Sequence, residues 1–206
     1  MKSLKKKILI FDVDGVLIDS KSNMHSAWKQ VQQKHKLKHI KFEDYFKNIG
    51  RPFYDILKLI GIKKNYKEIK TTYEKESAKQ IKKIKFFINV VSTIKKLKSK
   101  NYILNIVTSK DIKRTKKFLK DIIIYFKYIE CNNIKTKGKP NPDQINFIIS
   151  KLNAKNSDCV YIGDTHVDYL TAKNSSIDFI FAEWGYGRNY NYKYKCNNIN
   201  ELFKII

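Results

Sequence analysis

The segment Ile8–Ser20 reads ILIFDVDGVLIDS: an apolar run that breaks into two aspartates two residues apart, then a glycine. In an extended chain, residues i and i+2 face the same way. Asp12 and Asp14 are therefore expected to project together where a strand ends and the chain turns at Gly15. Two carboxylates there suit a divalent cation, or a nucleophile beside an acid. A core strand has no packing use for them. A second acidic pair, Asp164 and Asp168, follows another apolar run in VYIGDTHVD. Between the two pairs, YILNIVTSK ends an apolar run at Thr108 and Ser109, and KGKPNPD holds Lys139 in a turn made rigid by Pro140 and Pro142. Taken singly, these features have plainer readings. Thr108 or Asp164 would serve as a helix cap, and Lys139 as a solvated turn lysine.

The elements that would position these residues follow from hydrophobic patterning. Strands are predicted at Lys7–Phe11, Tyr102–Val107, Tyr128–Glu130, Cys159–Ile162 and Asp178–Ala182. Helices are predicted at Val90–Ser99, Asp111–Leu119, Asp143–Leu152, Val167–Asn174 and Ile199–Ile205. Strands alternating with helices imply an α/β fold with a parallel, doubly wound sheet, whose functional groups gather at the carboxyl ends of its strands. Residues from Ser20 to about Lys85 differ. They read as amphipathic helices at Asn23–His35, Phe42–Ile49, Phe53–Ile60 and Tyr66–Ile84, punctuated by Gly50, Pro52 and Gly61, with no convincing strand. An all-helical cap at residues 19–85, inserted into a core made of 1–18 and 86–206, is the expected organisation.

The four segments, in this order, resemble the four motifs of the haloacid dehalogenase superfamily, whose first motif is DxDGx(T/V). The resemblance implies a Rossmann-like core and hydrolysis of a phosphate ester. Asp12 would be the nucleophile that forms an aspartyl-phosphate. Asp14 would protonate the leaving oxygen and deprotonate the attacking water. The Thr108 hydroxyl and the Ser109 N–H would hold phosphate oxygens, and Lys139 would neutralise the phosphoryl charge. Asp12, Asp164 and the backbone carbonyl of Asp14 would ligate Mg²⁺, with Asp168 acting from behind them or orienting Lys139. The ending GDTHVDYLTAKNSSIDFIFAEWGYG looks like that of phosphoglycolate-phosphatase-like members with a helical cap, and Gly185 and Gly187 in it are expected to serve a turn. Within the cap, NIGRPF resembles the loop brought towards the active site, which makes Arg51 a substrate contact. His25, in NMHSAWKQ, resembles a cap-helix segment of sugar-phosphate mutases and is a second candidate contact. His166 is a loop residue that could touch substrate, and Trp28 is expected to pack.

Three features depart from the pattern. Position 16 is Val, a form also found in sugar phosphomutases. FFIN stands where a proline-glycine usually precedes the helix at Val90. The fourth motif has Gly163-Asp164, closer to phosphatases than to the Glu-Asp of mutases.

The chain has 206 residues, 42% of them hydrophobic, enough for one sizeable core and an insert. The formal net charge is +24. A basic chain suggests nucleic acid, but the lysines are scattered over every helix. The only arginines are Arg51, Arg114 and Arg188, where base readout favours arginine forks. No specific nucleic-acid partner is expected, and no apolar window reaches membrane-spanning length. The basic N-terminus leads into an apolar stretch cut short by Asp12, too short for a signal peptide. With three scattered cysteines and no zinc spacing, the expectation is a cytoplasmic protein with reduced thiols, monomeric or homodimeric, acting on a small phosphorylated metabolite. Its rivals are a β-phosphoglucomutase-like transferase and a basic binding protein without turnover.

Overall fold

The computed structural model describes residues 4–133 and 136–206, so residues 1–3, 134 and 135 of the segments assigned to the core lie outside it. In chain order the elements are β1 (Ile8–Phe11), β2 (Ile18–Asp19), α1 (Lys21–Lys34), α2 (Phe42–Phe46), α3 (Phe53–Leu59), α4 (Tyr66–Lys79), β3 (Lys85–Phe86), α5 (Val90–Ser99), β4 (Ile103–Thr108), α6 (Ile112–Phe118), β5 (Phe126–Cys131), α7 (Asp143–Leu152), β6 (Cys159–Gly163), α8 (His166–Asn174), β7 (Asp178–Ala182), β8 (Lys195–Cys196) and α9 (Leu202–Ile205). Six strands pair in the order β5-β4-β1-β6-β7-β8, all parallel. The chain runs outward from β1 through β4 to β5, then returns to the other side of β1 at β6. That reversal opens a crevice beside the carboxyl end of β1, where ligands of open α/β sheets bind.

β1 is apolar on both faces because both are covered. Leu9 and Phe11 join one core cluster with Val90, Ile94 and Leu97 of α5. Ile8 and Ile10 join another with Ile145 and Ile148 of α7. The period-2 alternation of a strand thus divides one four-residue run between two helical layers.

Helices α1–α4 share an apolar cluster of their own. On α1, Met24, Ala27, Trp28 and Val31 are buried at helical spacing. Trp28 stacks on Tyr45 at 4.6 Å between ring centroids, and its indole N–H donates to the Ile40 carbonyl. Here Trp28 packs, as expected. The chain leaves and re-enters the sheet layer through an antiparallel ribbon, Ile18 opposite Phe86 and Asp19 opposite Lys85.

Several boundaries differ from the sequence reading. The β2–β3 ribbon and β8 were not anticipated, since two-residue strands carry too little alternation to register. β5 extends two residues before and one after the predicted Tyr128–Glu130. Helix α2 stops at Phe46, and α4 at Lys79, followed by a 3-10 turn at Ile81–Lys83. All three cysteines are buried and free. No helix among the described residues is long and apolar enough to cross a membrane.

Candidate active site

Pairing of β1 stops at Phe11, so Asp12 and Asp14 lie just beyond the strand. The next residues wrap tightly: the N–H groups of Leu17 and Ile18 both donate to the Val13 carbonyl, and Gly15 N–H donates to Ile18. Gly15 has φ +85°, and a Cβ there would sit 2.1 Å from Asp164 Oδ2. Only glycine accommodates both the left-handed backbone and that approach. The loop keeps both aspartates on one pocket, which Thr108, Ser109 and Lys139 also line. These residues come from the ends of adjacent strands: Asp12 after β1, Thr108 closing β4, and Asp164 after β6.

Lys139 is wholly buried between two carboxylates. Its Nζ lies 2.8 Å from Asp12 Oδ1 and 2.7 Å from Asp168 Oδ1. Burial alone would lower its pKa, but Asp12 and Asp168 outweigh burial and raise it, so the ammonium stays charged. The same contacts act on Asp12 in opposite directions. Burial, the largest influence, raises its carboxyl, Lys139 pulls it down, and Asp168 and Asp14 raise it again, so that on balance it is pushed up to about 7.

Asp168 is saturated. Its Oδ1 accepts from Lys139 and lies 3.1 Å from the Tyr161 hydroxyl; its Oδ2 accepts from the N–H and hydroxyl of Thr165 at 3.0 and 2.6 Å. Thr165 and Asp168 form the capping box of α8. Asp168 therefore both starts its helix and fixes Lys139. Thr108 does not cap α6, whose N-terminus Asp111 caps instead.

Asp164 behaves differently. It is fully buried, and its Oδ2 accepts from Tyr186 N–H at 2.7 Å, while its Oδ1 has no hydrogen-bond partner among the described residues. Burial, then Asp168 and Asp12, push its carboxyl well above the usual range. One oxygen each of Asp12, Asp164 and Asp168 lies within 4.8 Å of the others. Because Asp168 has spent its oxygens on hydrogen bonds, Asp12 and Asp164 are the two carboxylates free to hold a cation. A buried carboxylate oxygen without a donor fits one well, and an all-oxygen set favours a hard divalent ion. The loop after β7 presses on this residue: a Cβ at Gly185 would lie 2.3 Å from Asp164 Cβ, and one at Gly187 would lie 1.7 Å from the Asp164 carbonyl oxygen. These glycines, expected to serve a turn, also permit close backbone approach.

Asp14 is held by two groups. Ser20 Oγ donates to its Oδ1 at 2.5 Å, and Lys110 Nζ lies 3.1 Å from its Oδ2. Lys110 is nearly buried, and burial lowers its pKa. Ser109 Oγ donates to the Gly50 carbonyl at 2.5 Å, tying the end of β4 to the helical layer. Arg51 lines the pocket beside Gly50. A Cβ at Gly138 would lie 2.4 Å from Pro52, a second close contact between that loop and the Lys139 turn.

The structure thus gathers Asp12, Asp14, Thr108, Ser109, Lys139, Asp164, Asp168 and Arg51 around one crevice. It does not bring His25 there. His25 is exposed on α1, edge-on to Phe42 at 4.8 Å, while its neighbour Met24 lines the pocket. His166 is also exposed, 3.2 Å from the Tyr192 hydroxyl and outside the pocket lining.

Four residues escaped the sequence reading. Lys110 is one lysine among many. Arg114 lies on α6, beyond any motif. Tyr161 hides in the apolar run of β6, yet its hydroxyl meets Lys139, Asp168 and the Val107 carbonyl. Tyr186 holds Asp164 through its backbone, and its hydroxyl accepts from Ser20 N–H and donates to Asp19.

Removing Lys139 leaves Asp12, Asp164 and Asp168 together without a cation. The Lys139→Met protein is expected to lose about 3–5 kcal/mol of stability without added metal. Denaturant unfolding at neutral pH checks this; a loss under about 1 kcal/mol contradicts the pairing described here.

Comparison with known proteins gives one family. The haloacid dehalogenase-like hydrolases match residues 9–182. A pyrophosphatase, PpaX, of Oceanobacillus iheyensis is 22% identical, covering 97% of this chain and 96% of its own length. A phosphoglycolate phosphatase of Vibrio parahaemolyticus is 24% identical, with coverage of 97% and 96%. A haloacid dehalogenase-like family hydrolase from Streptococcus pneumoniae shares the fold at a TM-score of 0.84 and 23% identity, covering 97% of this chain and 98% of that one.

Proposed function

The chain belongs to the haloacid dehalogenase-like hydrolases, and on that premise we propose that it is a Mg²⁺-dependent phosphatase of a small phosphorylated metabolite, working through an aspartyl-phosphate on Asp12. The observation that carries this reading is the pairing of a buried Asp12 with Lys139, beside the unpartnered Oδ1 of Asp164. The names of the relatives, a pyrophosphatase and a phosphoglycolate phosphatase, agree with it.

In this reading an Asp12 carboxylate oxygen attacks phosphorus and the bond to the leaving oxygen breaks. Asp14 gives that oxygen a proton, then takes one from the water that attacks the aspartyl-phosphate. Ser20 and Lys110 hold the Asp14 carboxylate in place for both transfers. The Thr108 hydroxyl and the Ser109 N–H receive phosphoryl oxygens, and Lys139 neutralises charge that develops on them. Asp168, Tyr161 and Thr165 keep Lys139 from swinging away. Mg²⁺ on Asp12, Asp164 and the Asp14 carbonyl would screen the nucleophile from the anionic phosphoryl group. The helical unit of residues 19–85 acts as a cap that excludes bulk water, seated through the Ser109–Gly50 and Gly138–Pro52 contacts.

The test is inorganic phosphate release from a panel of small phosphate esters, with Mg²⁺ or with EDTA. Release is expected with Mg²⁺ and abolished by EDTA. Release that EDTA leaves intact, or none across the panel, contradicts the reading.

A further inference from the structure

The pocket has charged groups to spare once the reaction centre is accounted for. Of the charged side chains lining it, Asp12, Asp14 and Lys139 belong to that centre; the others, Arg51, Lys110 and Arg114, are all cations. Lys110 already faces Asp14. The two arginines are less engaged. Among the described residues, none forms an ion pair with Arg51. Arg114 donates to a neutral partner, Ser77 Oγ, at 3.1 Å, and its buried Nε has no hydrogen-bond partner among the described residues. Its ion pairs with Glu74 and Asp111 are both long, at 3.9 Å, and the Asp111 Oδ2 that faces it is too far to hydrogen-bond. Lys70 holds Glu74 at 2.5 Å, and Asp111 caps α6 through its other oxygen. The guanidinium lies over the Tyr73 ring, 5.6 Å from its centroid, and Tyr45 and Tyr73 meet hydroxyl to hydroxyl at 3.1 Å. Both tyrosines also line the pocket. Burial raises both hydroxyls' pKa values, Tyr73 to about 12, so both stay neutral.

Guanidinium groups donate and never accept. The rest of the wall above the reaction centre is apolar, with Met24, Ile49, Phe53 and Ile56. A sugar carries more hydroxyls than that wall has polar groups to meet, and the excess would be left unsatisfied against Met24, Ile49, Phe53 and Ile56. An amine would meet only like charge. The space among these residues, open on one side, is also small, about 70 Å³, under half the roughly 150 Å³ of a cavity that takes up benzene.

Resting on the phosphatase reading, we infer that the substrate is a compact phosphate compound with a second anionic group a few bonds from phosphorus, and that Arg51 and Arg114 read that second anion from the cap and the core. The second anion is a carboxylate or another phosphate; both offer the acceptor oxygens that a guanidinium fork matches.

The experiment measures kcat and KM, with Mg²⁺, for phosphoglycolate, its uncharged amide of the same shape, inorganic pyrophosphate and a hexose 6-phosphate. The better of the two acids should exceed the amide in kcat/KM by about 100-fold, the value of one charge-assisted contact. The identity of that acid assigns the anion as carboxylate or phosphate. The hexose phosphate should be poorer still. Arg114→Gln and Arg51→Gln should each shrink the acid-over-amide ratio about tenfold or more, a ratio that mere loss of packing would not move. Should Arg114→Gln fail to fold, the wild-type ratio and Arg51→Gln still decide. Equal kcat/KM for acid and amide, or a hexose phosphate that outruns both acids, overturns this subsite and leaves the phosphatase reading standing. No Mg²⁺-dependent release from any of the four overturns both.

Discussion

An Asp12→Asn protein is expected to fold as the wild type does and to lose about 10⁴-fold or more in kcat, the scale on which enzymes lose rate when a nucleophile is removed. The substitution keeps the shape of the side chain. The amide oxygen can still accept from Lys139, which stands 2.8 Å away, so the buried ion cluster relaxes little. What disappears is the oxygen nucleophile. Steady-state phosphate release alongside a thermal melt separates the two effects. A variant within tenfold of the wild type, melting normally, rules Asp12 out as the nucleophile.

The second large effect concerns Asp164. Without metal, Asp12, Asp164 and Asp168 crowd together against a single cation, Lys139. Asp164 gets one backbone N–H and leaves its other oxygen without a donor. A buried carboxylate so poorly compensated costs stability. Asp164→Asn should therefore make the metal-free protein more stable by about 1–2 kcal/mol, roughly 3–6 °C in Tm for a chain of this size. The same change should abolish the rise in Tm that Mg²⁺ gives the wild type, since a ligand that binds only the folded state stabilises it by mass action. Activity and stability thus move in opposite directions. A scan of Tm against Mg²⁺ for both proteins reads this directly. An equal Mg²⁺ response in the variant would show that Asp164 does not hold the ion.

How far the site could be read from sequence depends on what surrounds each residue. Asp12, Thr108 and Asp164 each follow an apolar run that can only be a buried strand, so chain order alone puts them on one edge of a parallel sheet. Lys139 stands out because prolines bracket it. Lys110 does not, although it is equally committed to the site. Its chemistry comes from burial and from Asp14, and neither leaves a mark in a chain where lysine is everywhere. Tyr161 is silent for a related reason. A tyrosine inside an apolar strand looks like core, and only the tertiary fold turns its hydroxyl towards Lys139 and Asp168.

His25 shows how a resemblance in a helix can point one residue astray. Asn23, Met24, Ala27 and Trp28 set the buried face of α1, and His25 falls outside it, about 100° around the axis from Met24. The β2–β3 ribbon was hidden because its two short strands are far apart in sequence and pair across the whole helical insert. The close approach at Gly187 is likewise tertiary: it is set by the Asp164 carbonyl pressed against it.

The most direct test of the account is to mix the enzyme and Mg²⁺ with a radiolabelled phosphate ester, quench in acid within the first turnovers, and ask where the label sits. The account predicts label on the wild-type protein, released by hydroxylamine as an acyl phosphate must be, mapped to the peptide that contains Asp12, and absent from Asp12→Asn. Steady release of phosphate with no protein-bound label at any quench time, or label on a hydroxylamine-resistant residue, would contradict it.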